Sequence, residues 1–194
     1  MSTPTDPTLY GWWLASRAAG VTAFVLASVA VIAGLAMAGR VSRRPGMARA
    51  LRAAHEQAAL GALLAMAAHG ALLLGDHWLH PSLAQIAIPF TAAYRPLATG
   101  LGIVAAYGAA LLGLTFYLRK RIGARLWRRA HRLTIVVWAL AAVHALTAGT
   151  DASTPWMRAI LLASAIPIAA LFTLRVAHGL RRPATRRPLV EAAR

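Results

Sequence analysis

His55, His69, His131 and His144 each interrupt a stretch of sequence that is otherwise almost wholly apolar. An imidazole carries a ring N–H and a lone pair, and leaving both without partners in hydrocarbon costs several kcal/mol. Each ring must therefore bond or ligate. Fourteen residues separate the first pair and thirteen the second. On a helix rising 1.5 Å per residue, either interval is roughly 20 Å. Two helices thus offer one imidazole each at two depths, with His55 and His131 toward one end and His69 and His144 toward the other.

A b-type haem at each depth answers the need of both rings. Its iron takes one neutral nitrogen from each helix, its porphyrin fills an apolar slot between helices, and its propionates seek arginines near the headgroups. With both axial positions held by histidine, such a centre passes electrons rather than remaking bonds. Fourteen residues return to within about 40° of the same helix face, whereas thirteen leave an offset of about 140°. The segment carrying His131 and His144 must therefore bend, bulge, or approach its two haems from different sides. The plainer reading is that the four rings are polar bundle residues bonding across helices. A proton relay would recruit carboxylates, and only Glu56, at the cytoplasmic edge of the second span, lies within the predicted spans.

The elements that must position these rings are membrane helices. The chain is 59% hydrophobic and 13% charged, with a mean hydropathy of +0.58, outside the range of an ordinary soluble domain. Apolar stretches of spanning length fall at about 12–38, 53–75, 98–118, 131–149 and 156–178, which predicts an all-α integral membrane bundle of five helices. The first lacks a basic n-region and opens on Tyr10, Gly11, Trp12 and Trp13, as a retained span with an aromatic belt would. Residues 80–96, broken by Pro81, Pro89 and Pro96, predict an external loop with a short interfacial or re-entrant helix. The organisation expected is an external segment over 1–11, one membrane domain over 12–178 and a basic cytoplasmic tail over 179–194.

Cysteine is absent, so disulfides, iron–sulfur ligation and thiolate catalysis are excluded among these residues. The net charge of +16 comes from 20 arginines and one lysine. Arg40, Arg43, Arg44, Arg49 and Arg52 follow the first span, a cluster from Arg119 to Arg132 lies between the third and fourth, and Arg175 to Arg194 forms the tail. The alternate segments hold Asp6, Asp76 and Asp151, with Arg17, Arg95 and Arg158 their only bases. A positive-inside topology with the N-terminus outside and the C-terminus inside satisfies every loop, with anionic lipid headgroups as further partners for the arginines. No nucleic-acid motif appears, and none is needed to explain the charge.

Several other residues could serve the same site. Arg17 lies in the outer part of the first span, where it needs either a haem propionate as partner or a path to the interface by snorkelling. Arg52 and Arg132 flank the inner histidines as further propionate candidates, or as positive-inside residues alone. Trp138 lies between the two depths, as packing or beside both haems. His77 and His80, near Asp76, form a polar loop or an external metal or acceptor site, and His178 is interfacial.

The paired histidines, H55-x13-H69 and H131-x12-H144, resemble those of the ferric reductase-like transmembrane domain. That domain is shared by NADPH oxidases, ferric-chelate reductases and the haem-bearing membrane subunit of bacterial methionine sulfoxide reductase. The resemblance covers roughly residues 20–175. It implies that His55 with His131 holds an inner haem and His69 with His144 an outer one, with electrons passing from the cytoplasm to an external acceptor across a bacterial-type plasma membrane. Family members commonly have six spans rather than five, and many add a flavin and nicotinamide domain. No glycine-rich dinucleotide fingerprint is present here. The resemblance therefore implies a separate cytoplasmic flavin reductase or a membrane quinol as donor, and it leaves a bound flavin open. A quinone-linked cytochrome b of another type, and a haem-free transporter or assembly partner, are the competing expectations.

Overall fold

The computed structural model describes residues 8–39 and 44–180. Among these the secondary structure is entirely helical. In chain order the helices are α1 (Thr8–Ala38), α2 (Pro45–Leu73), α3 (Leu83–Ala87), α4 (Pro96–Ile122), α5 (Ala124–His131), α6 (Thr134–Thr147) and α7 (Pro155–Leu180). Five segments are long and apolar enough to cross a membrane, with α5 and α6 together forming the fourth. The protein is an all-α integral membrane bundle. The expected N-terminal segment 1–11 and the basic tail 179–194 lie largely outside the described residues, as do Arg40 and Arg43.

Helix α1 is the spine. It packs along the length of α2 on one side and meets α6 and α7 on others, while α4 packs on α6. Small residues make these crossings close. A Cβ on Gly61 would lie 3.0 Å from Leu26, and one on Gly108 would lie 2.8 Å from Val137. Helix α2 is not closely packed on α5 or α6, although the histidines of these helices face one another.

The fourth span departs from the continuous helix expected over 131–149. Helix α5 ends at His131, Arg132 and Leu133 form a turn, and α6 begins at Thr134. The hydrogen bonds there tighten to Arg132 N–H on Arg129 O, Leu133 N–H on Ala130 O and Ile135 N–H on Arg132 O. Such i to i−3 bonds overwind the chain and change the direction of the side chains that follow. At the other end of α5, Gly123 turns the chain out of α4 at φ 86°, a conformation that favours a residue without Cβ.

The loop over 74–95 contains α3, a five-residue helix closed by a capping box between Ser82 and Gln85. Tyr107, about three turns into α4, donates its hydroxyl hydrogen bond to Ala87 O, and Phe90 lies against Gly100. The loop therefore folds back along α4. His80, Phe90 and Arg95 all take positive φ in this region. Arg95 and Tyr94 are thereby placed to donate to Thr147 O and Ala148 O, two carbonyls at the C-terminus of α6 that its own helix leaves unpaired.

Candidate haem-binding histidine pairs

The structure brings the four intramembrane histidines together in two facing pairs. The rings of His55 and His131 have centroids 6.0 Å apart at an interplanar angle of 80°, and those of His69 and His144 lie 6.4 Å apart at 69°. Two imidazoles on opposite sides of one metal ion, each bonded at about 2.0–2.1 Å, would place their centroids roughly 6.3 Å apart. The thirteen-residue interval that defeats a straight helix is reconciled by the turn at Arg132 and Leu133, so His131 and His144 both face α2.

Three of the four rings are oriented by the same device. The Nδ1–H of His69 donates to Ser16 O at 2.8 Å, that of His55 to Ala30 O at 2.8 Å, and that of His144 to Ala98 O at 2.8 Å. In each case the residue four positions after the carbonyl is glycine: Gly20, Gly34 and Gly102. A helical carbonyl points toward residue i+4, where a side chain would cover it, and glycine leaves its second lone pair open to a visiting ring. The rings lie against these glycines. A Cβ on Gly102 would sit 2.6 Å from the His144 ring, one on Gly20 3.0 Å from His69, and one on Gly34 3.4 Å from His55.

Once Nδ1 carries the donated proton, Nε2 keeps its lone pair. Among the described residues no protein group bonds Nε2 in these three rings. That is the arrangement of a metal-ligating histidine, whose second nitrogen is held by a carbonyl or carboxylate. Ser16 adds to it: its hydroxyl lies 3.0 Å from His69 Nδ1 and donates to His69 O at 3.0 Å. The hydroxyls of Ser28, Ser164 and Thr173, by contrast, donate to carbonyls of their own helices, Phe24 O, Ile160 O and Ala169 O. Ser16, at 1% exposure, is buried to hold a ring on the neighbouring helix.

His131 is the exception. Its Nδ1 is buried without a partner, and the ring is instead stacked on Trp127, 5.1 Å away at 24°. The corresponding level of α4 shows why. Leu112, fourteen residues after Ala98, has its carbonyl taken by Thr115 Oγ1 at 2.6 Å, and position 116 is Phe rather than Gly. Phe116 packs on Trp127, and Trp127 on His131.

The other candidates fall differently. Arg17 is bound by Asp151, with Nε donating to Oδ2 at 2.9 Å and Nη2 to Oδ1, and its guanidinium lies 4.2 Å above the Trp13 ring. This partner comes from the α6–α7 connection, and was neither of the two expected for Arg17. Arg52 and Arg132 are exposed at the end of the bundle that carries His55 and His131. Trp138 stacks on Phe24 at 5.9 Å and donates to Ser28 Oγ at 2.9 Å, tying α6 to α1 between the two histidine levels. His77 and His80 lie on an exposed loop, 6.2 Å apart. Among the described residues no group of three or more His, Asp or Glu side chains is arranged to hold a metal ion. Beside that loop, Trp78, Leu79, Ala93 and Tyr94 line a shallow depression. His178 donates to Leu174 O within its own helix.

The residues at both levels suit a b-type haem. Each level offers two imidazoles, three of the four rings have Nδ1 committed to a carbonyl, and at Gly102 and Gly20 a Cβ would crowd the ring. Compared with protein-family models, curated protein sequences and solved structures, the chain matches none of them.

Proposed function

We propose that this protein is a transmembrane b-type cytochrome that carries electrons across the membrane through two bis-histidine haems. The observation that carries this reading is the pair of facing imidazoles at 6.0 and 6.4 Å, with three Nδ1–H groups committed to backbone carbonyls so that Nε2 is left for iron. His55 and His131 would hold one haem, and His69 and His144 the other. Haem so held would supply reversible one-electron chemistry. The chain's own residues hold three of the four rings by Nδ1 and set the distance between the levels.

Direction follows from charge. Arg44, Arg49, Arg52 and the run from Arg119 to Arg132 surround the His55–His131 end, which the positive-inside rule places in the cytoplasm. Electrons would enter there, from a flavin reductase or a quinol, and leave at the His69–His144 end to an external acceptor in a bacterial-type plasma membrane. Arg52 and Arg132 suit the propionates of the inner haem. At the outer level the Arg17 fork is engaged by Asp151, so it is not free to take a propionate.

A dithionite-reduced minus oxidised absorption spectrum of the purified protein, with extracted haem counted per chain, tests the reading. Six-coordinate b-type bands with two haems per chain are expected. Protein free of haem, from cells with haem in supply, would overturn the reading and leave the histidines as interhelical bonds in a transporter or assembly partner.

A further inference from the structure

We propose that His131 is the exchangeable member of the four histidines, and that the centre it shares with His55 admits a small neutral ligand, carbon monoxide being the probe, while the His69–His144 centre stays closed. The inference rests on the haem reading above and concerns only how firmly each ring is held.

The four rings are not equivalent. His55, His69 and His144 each have Nδ1 tied to a carbonyl at 2.8 Å and a glycine beside the ring. A ring so held cannot turn about χ2 without breaking that bond, and the bond also makes Nε2 a stronger donor to iron. His131 has neither support. Its Nδ1 is buried and unpartnered, the Leu112 carbonyl at the corresponding level is taken by Thr115, and Phe116 stands where the other three sites have glycine.

Its position in the chain adds to this. His131 is the last residue of α5, followed by the turn at Arg132 and Leu133, whereas His55, His69 and His144 lie within helices. The ring is placed by its stack on Trp127, whose Nε1 is likewise buried without a partner. Stacking leaves a ring free to slide and rotate in its plane, so it orients less strictly than a hydrogen bond does. Two unpartnered donors on adjoining turns of α5 carry a desolvation cost that any movement toward water or an acceptor relieves. Release of His131 from iron is thus opposed by less than release of any other ring. Carbon monoxide binds ferrous haem only where an axial position opens, so it reports that release directly.

The experiment is carbon monoxide titration of the dithionite-reduced holoprotein, followed by difference spectra and haem count. The expected result is an adduct on one haem of two. In His131→Ala protein the adduct should form faster and still reach one haem per chain. In His144→Ala protein it should extend to every haem that remains, because a second position has been opened. Thr115→Val, which frees the Leu112 carbonyl while keeping the side-chain shape, should slow adduct formation. Two intact haems that take up no carbon monoxide at saturation, or that take it up equally, would overturn the proposal while leaving the cytochrome reading standing. An adduct in the wild type that survives His55→Ala and disappears in His69→Ala would place the exchange at the other centre and overturn it as well. Wild-type protein without haem would overturn the cytochrome reading itself, and this inference with it.

Discussion

His131 and His144 lie on different helices, separated by the turn at Arg132 and Leu133, and it is this turn that points both rings at α2. Thirteen residues of unbroken helix would have set them on nearly opposite faces. Inserting one alanine after Leu133 should rotate α6 by about 100° relative to α5 and carry His144 away from His69. The expected outcome is a folded protein with one haem in place of two, read from haem extraction and the reduced-minus-oxidised spectrum. Two retained haems would show that the register of this span does not matter.

Gly102 and Gly34 form a matched test of the glycine cradles. Gly102→Ala would bring a methyl group to 2.6 Å from the His144 ring, so ring or helix must shift, at a cost of about 1–3 kcal/mol. Gly34→Ala meets His55 only at 3.4 Å, an ordinary contact. Thermal unfolding in detergent should show a lower midpoint and haem loss for the first and little change for the second. Equal behaviour would mean the cradles are not what fixes the rings.

Ser16 is the place where a single hydroxyl spans two helices. Ser16→Ala removes its bond to His69 O and its contact with His69 Nδ1 but keeps the Ser16 O bond. A ligand less strongly held at Nδ1 is a weaker donor to ferric iron, so the midpoint potential of one haem should rise while the other holds still. Ser16→Thr should restore it. Spectroelectrochemical titration resolves the two waves, and Ser164→Ala, whose hydroxyl bonds its own helix, is the control.

Arg17 and Asp151 tie the first helix to the connection before the last, at side-chain exposures of 30% and 18%. Asp151→Asn leaves a partly buried guanidinium without its counter-charge and should cost about 1–3 kcal/mol. The exchange Arg17→Asp with Asp151→Arg should recover part of that loss. The midpoint of thermal unfolding measures both, and an unaltered midpoint in Asp151→Asn would show that the pair contributes nothing to stability.

The spans, their number and the depths of the four histidines follow from the sequence alone, because hydropathy and helical rise are properties of a segment by itself. The supporting acceptors left a trace there as well. Ser16 with Gly20 and Ala30 with Gly34 repeat the fourteen-residue interval of His55 and His69, but small residues are so common in this chain that the repeat had nothing to mark it. Only the tertiary structure decided the rest. It placed Asp151 on Arg17, broke the fourth span after His131, and left that one ring without a carbonyl. Each of these depends on which helix lies beside which. Hydrogen bonds and ion pairs form between neighbours in space, and a residue's own segment does not specify who those neighbours are.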